Sequence, residues 1–160
     1  MKSLYPYILG AVFITMACSS PKEKATEQVP ESDTFDLHEA MLGEWRNESL
    51  EVTVEGPERD SIIKVPVGKW EEVFQIKPVR TTFNSDSTFT SEYRSLEDSG
   101  IMVNNGVWYI EDDSLVYINR GKKFKYQVEL EGDEAIFKGY VDWDDDGEVD
   151  DFYNGKQKKQ

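Results

Sequence analysis

Cysteine and histidine each occur once among the 160 residues. One thiol cannot build a disulfide framework or a multi-cysteine zinc cluster, and one imidazole excludes the multi-histidine metal sites. Basic residues are scarce as well. Lys and Arg number 18 against 32 Asp and Glu, a formal net charge of -14, which is the wrong sign for a nucleic-acid backbone. The apolar run from Ile8 to Ala17 is ten residues long, whereas a bilayer-spanning helix needs about 20. The sequence has no nucleophile motif, no phosphate-cradling glycine loop and no redox pair, and nothing is arranged around His38 in a catalytic pattern. Binding or interaction is therefore expected, not catalysis. Aromatic residues are plentiful: eight Phe, eight Tyr and four Trp, or 12% of the chain. That stock implies a real hydrophobic core in one domain with appendages.

The appendages come first in the chain. Lys2 precedes the short apolar run, whose length suits the h-region of a signal peptide. The run ends in Thr15-Met16-Ala17-Cys18, and the chain turns polar at once. This resembles the lipobox of bacterial lipoproteins. The resemblance implies that residues 1–17 are a signal peptide, that Cys18 becomes the lipidated N-terminus, and that the protein sits in the cell envelope, anchored to a bacterial membrane, the outer membrane first, on its extracytoplasmic side. Acyl chains contribute about 0.8 kcal/mol per buried methylene. The mature chain would carry 17 basic and 32 acidic side chains, a net of -15, so its surface would not hold it to an anionic membrane. Residues 18–34 continue as SSPKEKATEQVPESDT after the Cys, with no aromatic residue, and read as a flexible tether.

Residues 35–160 read as the folded domain. Asp36 is a fitting N-cap with Glu39 three residues on, and Phe35 and Ala40 stand where a hydrophobic staple would place them. Gly43 ends this short helix. From there the apolar period is two. Residues 44–54 alternate loosely through Trp45, Leu50, Val52 and Val54. Residues 55–69 read as a loop or irregular extension. Residues 70–76 and 79–84 read as a strand interrupted at Pro78. Further strands are expected at 88–94, 101–110, 115–118, 123–131, 134–143 and 149–158. In 123–131, Phe124, Tyr126, Val128 and Leu130 alternate strictly with Lys and Glu or Gln, the pattern of an antiparallel strand with one wet face. Turns are expected at 84–87, Asp112-Asp113, Arg120-Gly121 and Gly132-Asp133. Without helical crossovers the strands pair antiparallel. The expected fold is all-β, an antiparallel up-and-down barrel of about 8–10 strands with a short N-terminal helix.

Leu42-Gly43-Glu44-Trp45, after a short helix and opening the first strand, resembles the Gly-x-Trp signature of lipocalins. The stretches TTFNSDSTFTSEYR at 81–94, GVWYIEDDSLVY at 106–117 and DWDDDGEVDDFYNGKQKK at 142–159 look like bacterial lipocalin-like lipoproteins. The resemblance implies that Trp45 plugs the closed end of the barrel, with a basic partner on the last strand for which Lys156 and Lys158 are candidates. It also implies a binding module for a small apolar ligand. The alternative is a structural or protein-interaction lipoprotein whose barrel is filled by side chains.

One cluster of acids has metal-ligand spacing. Asp142, Asp144, Asp146 and Asp150 fall at positions 1, 3, 5 and 9 of a calcium loop, Gly147 at position 6 and the Glu148 carbonyl at position 7. Position 12 is Tyr153 instead of the bidentate Glu. Two readings stand open: a solvated acidic hairpin, or a site that holds calcium weakly. Lys156, Lys158 and Lys159 read as blunting a sheet edge, enhancing solubility or neutralising that hairpin.

Overall fold

A computed structural model describes residues 36–160. Cys18, the signal peptide, the tether and the Phe35 staple contact lie outside the described residues. The domain is all-β. Helix α1 (Leu37–Met41) leads into strand β1 (Gly43–Val54), followed by β2 (Ser61–Val65), helix α2 (Trp70–Phe74), β3 (Arg80–Phe83), β4 (Thr88–Arg94), β5 (Ile101–Glu111), β6 (Ser114–Asn119), β7 (Lys122–Glu131), β8 (Glu134–Val141) and β9 (Asp151–Lys159). Every pairing is antiparallel. From β3 to β9 each strand pairs with the next, and β1 pairs with both β3 and β9. Eight strands thus close into a barrel, and β2 lies along the far half of β1, on the edge opposite β9.

Local sequence explains the closure. Asp36 caps α1 as expected, its Oδ1 accepting from the His38 N–H at 2.9 Å and the Glu39 N–H at 3.4 Å. The loose alternation of β1 has a physical cause. A bulge between Asn47 and Ser49 puts one extra residue opposite β9, so Trp45 and Asn47 are buried before it and Leu50, Val52 and Val54 after it. The inward parity changes from odd to even, and the strand bends from β3 toward β2. Strand β7 keeps its alternation, with all its Lys, Glu and Gln exposed and Phe124, Tyr126, Val128 and Leu130 turned inward. Two-residue turns link β5 to β6 and β6 to β7. Asp112, Asp113, Arg120 and Gly121 all have positive φ there, between 49° and 84°, the type I′ pattern that suits strand twist.

Two segments differ from the sequence expectation. Residues 61–65 are a strand, too short and too closely flanked by charge for periodicity to mark. Residues 70–74 are a helix, not a strand. Trp70 and Phe74, four apart, stack edge to face at 5.0 Å between centroids and pack with Leu50, Val52, Val65 and Val79. The i,i+4 aromatic pair and the acidic first turn of Glu71 and Glu72 were the helical signal. Gln75, left-handed at φ 57°, ends it.

The antiparallel order gives the barrel two distinct ends. At one end lie α1, the start of β1 and the turns at 84–87, 112–113 and 132–133. At the other lie α2 and the segments 55–60, 95–100, 120–121 and 142–150. Leu37, Met41, Trp45, Phe83, Trp108 and Leu115 fill the α1 end, all buried.

Candidate ligand cavity

Between the filled end and the far end the barrel encloses a cavity of about 450 Å³, within the range of small-molecule sites. Its walls are largely aromatic. Phe83, Phe89, Phe124, Phe137, Tyr117, Tyr126 and Tyr153 come from the barrel strands, Trp70 and Phe74 from α2, and Trp143 from the loop after β8. The rings contact one another in a chain: Phe89 to Tyr117 at 5.1 Å, Tyr117 to Tyr126 at 5.6 Å, and Tyr126 to Tyr153 at 5.2 Å. Gly155 leaves the space that the Tyr153 ring occupies; a Cβ there would lie 2.3 Å from the Tyr153 hydroxyl oxygen. Tyr126 is buried and Tyr117 and Tyr153 are partly buried, and the loss of water around the hydroxyls raises all three pKa values: Tyr117 to about 12, Tyr126 and Tyr153 well above the ordinary value. They stay neutral over the physiological range and can donate or accept hydrogen bonds.

Polar groups are set among the rings. The Thr81 and Ser91 hydroxyls meet across β3 and β4 at 2.8 Å. Asn47 and Gln157 face each other across β1 and β9. Five cavity-lining residues each carry a buried polar atom without a protein partner: Trp70 Nε1, Asn104 Oδ1, Asn119 Oδ1, Asp142 Oδ1 and Gln157 Oε1. Buried polar atoms are normally paired, and of the six without a partner among the described residues five line this cavity, the sixth being Arg46 Nε on β1. Sequence reading missed the amides because an inward Asn or Gln on a strand resembles an outward one unless the register is known.

The acidic loop lies at the rim of this cavity. Asp142, Asp144 and Asp146 each bring a carboxylate oxygen within 4.8 Å of the others, as their alternate spacing implied. Asp150 does not join them, and Glu148 donates its backbone N–H to Asp146 Oδ1 at 2.8 Å. Gly147 is left-handed at φ 97°, the sharp turn foreseen for it. Tyr153, at position 12, points into the barrel. Asp151 is also committed: it is fully buried, its Oδ1 accepting from the Glu55 N–H at 2.9 Å and its Oδ2 from the Trp143 N–H at 2.7 Å. It ties the loop to the end of β1. A cation already serves the acids, because Lys122 Nζ donates to Asp142 Oδ2 at 3.2 Å and to Asp145. Burial works against the Asp142 charge, but Lys122 and the nearby Gly147 and Asp145 amides outweigh it and hold its carboxyl below the usual range.

At the opposite end Trp45 is 1% exposed, and its indole N–H donates to the Met41 carbonyl at 2.8 Å. Its basic partner is Lys159, not Lys156 or Lys158. Lys159 Nζ sits 5.4 Å from the Trp45 ring centroid and donates to the Ala40 carbonyl at 2.8 Å. Lys156 instead pairs with Glu134 at 2.6 Å, and Lys158 with Asp133 at 3.2 Å. None of the three blunts an edge, since β9 is paired on both sides, and they lie at the far end of β9 from the acidic loop. His38 stacks on Trp108 at 4.6 Å, away from the cavity. Two further acidic clusters face outward: Glu111 accepts from Lys123 and Lys125, and Glu71 and Glu72 are exposed on α2. The described domain is an eight-stranded antiparallel barrel of a form consistent with a lipocalin-like fold, and no protein-family model, curated protein or solved structure matches the chain.

Proposed function

We propose that the protein is a membrane-anchored, lipocalin-like binding module of the cell envelope that holds a small apolar or amphipathic ligand inside its barrel. The observation that carries this reading is the aromatic cavity of about 450 Å³ with five buried polar atoms lacking protein partners. A purely structural barrel has no use for such groups, because each costs roughly 1–3 kcal/mol when left unpaired. The test is to denature the purified protein and examine the organic extract by mass spectrometry. One ligand in stoichiometric amount supports the reading. A clean extract, with no small molecule stabilising the protein, favours the structural or protein-interaction alternative.

Anchoring through Cys18 is part of the same proposal and is checked separately. Cys18→Ala should move the protein from the membrane fraction to the soluble one. Retention of the variant on membranes through high salt and carbonate would refute the anchor. For the acidic loop we propose weak calcium binding by Asp142, Asp144 and Asp146, in competition with Lys122.

A further inference from the structure

We propose that the cavity selects a neutral or cationic ring-bearing amphiphile that donates hydrogen bonds, and rejects fatty acids and other carboxylates. This rests on the binding reading above and names its ligand class.

The first argument is charge. Among the described residues, none of the 22 that line the cavity is Lys, Arg or His, and one, Asp142, is an acid. A ligand carboxylate would enter without a partner, beside an existing negative charge, and a buried unpaired charge is strongly unfavourable. Lys122 does not alter this, because it bonds Asp142 and Asp145 at the rim and its side chain is half exposed. The second argument is hydrogen-bond polarity. Of the five buried unpartnered atoms that line the cavity, four are acceptor oxygens, on Asn104, Asn119, Gln157 and Asp142, the last also influenced by the Gly147 and Asp145 amides of its own loop, and one is a donor, Trp70 Nε1. An amide can turn and present its NH₂ group instead. Ionised Asp142 can only accept. A ligand hydroxyl or ammonium would complete these bonds.

The third argument is the wall itself. Eleven of the 22 lining residues are aromatic, and their π faces favour flat rings and cations over flexible acyl chains. At the rim, Asp144, Asp145, Asp146 and Glu148 are exposed in the loop that continues from Asp142. With only Lys122 and Arg120 as nearby cations, this loop carries an excess of negative charge, which draws cations toward the opening and slows anions.

The experiment uses the purified full chain and four probes at neutral pH: 2-naphthylmethylamine, 2-naphthalenemethanol, 2-naphthoate and decanoate, each titrated by calorimetry. The amine should bind at least about tenfold tighter than 2-naphthoate, the scale of one charge-assisted hydrogen bond, with the alcohol between them. Asp142→Asn should lower the amine's affinity by about tenfold while leaving the alcohol's nearly unchanged. Because Asp142 also holds Lys122, Asn119→Lys provides an independent arm. It places a cation in the cavity wall and should shift preference toward 2-naphthoate. The inference is overturned if 2-naphthoate or decanoate binds the native chain as tightly as the amine. It is equally overturned if Asp142→Asn weakens the amine and the alcohol alike, or if the co-purifying molecule is an anionic lipid. In those cases binding itself stands. If no probe binds and the organic extract is empty, the binding reading falls and takes this inference with it.

Discussion

The two ends of the barrel treat the same residue type differently. At the α1 end, Trp45 and Trp108 are completely buried and their indole N–H groups are paired, Trp45 with the Met41 carbonyl at 2.8 Å and Trp108 with the Asn84 carbonyl at 3.0 Å. In the cavity half, Trp70 is also buried, at 5% exposure, but its Nε1 has no protein partner. The α1 end is finished as a protein core, with side chains filling the space and the tryptophan N–H groups paired. The cavity half has the aromatic surface of a core without its filling or its pairing. A folded chain tolerates that mismatch where stability comes from elsewhere, and here the packed end and the closed ladder of eight strands supply it.

The comparison breaks most readily at Trp45. Trp45→Ala should destabilise the fold by roughly 3–5 kcal/mol in urea unfolding. A loss below about 1 kcal/mol, the range of surface changes, would mean that the α1 end is not the stabilising half. Trp70→Phe makes the contrast sharper. Removing an unpaired N–H should cost far less than Trp45→Phe, which strips the Met41 carbonyl of its donor.

Asp151→Ala comes next, at roughly 3 kcal/mol, since it removes a buried carboxylate and leaves the Glu55 and Trp143 N–H groups without their acceptor. Its thermal melt should fall well below that of Asp144→Ala, which removes an exposed carboxylate.

The buried phenols give a pH test confined to the cavity half. Their folded pKa values lie above the unfolded value of 10.0, so the unfolded chain loses protons first as pH rises. The stability they contribute is complete below pH 10 and declines toward about pH 12, the value for Tyr117. An absorbance titration of tyrosinate should show Tyr117, Tyr126 and Tyr153 ionising together with alkaline unfolding, after the exposed tyrosines. A single smooth titration near pH 10 in the folded protein would place these rings in water.

Smaller effects follow at Gly155 and in the acidic loop. Gly155→Ala should press the Tyr153 ring into the cavity, costing about 1 kcal/mol of stability as overpacking and weakening whatever the cavity binds. Unchanged affinity would mean that the ligand sits nearer the rim. Calcium should raise the melting temperature by a margin worth about 1 kcal/mol or less at millimolar concentrations, and more in Lys122→Gln, where the competing ammonium is gone. Magnesium should substitute poorly, because it demands a tighter octahedron. Identical melts in chelator and calcium, for both the native chain and the variant, would reduce the loop to a solvated hairpin.

Residues whose roles follow from their immediate neighbours were legible in the sequence. The strict alternation at 123–131, the Asp36 cap and the turns at 112–113 and 120–121 lie where local pattern and turn chemistry put them, because a pleat, a cap and a tight turn are decided within a few residues. The acidic spacing likewise placed Asp142, Asp144 and Asp146 together, with Gly147 at the bend. The α2 helix was harder to see, since five residues of WEEVF satisfy either period until Trp70 and Phe74 find a common wall.

What the sequence by itself determined is therefore the class of fold: a short helix, a series of antiparallel strands and a tryptophan set to plug the first of them. Tertiary structure alone decided which strands meet and what faces inward. The bulge after Asn47 reverses the parity of β1, and closure of β1 onto β9 sets Gln157 against Asn47 and Lys159 over Trp45. It also turns Asn104 and Asn119 toward the same interior space. No local rule contains this, because these residues are far apart in the chain and become neighbours only through the hydrogen-bond register of a closed sheet.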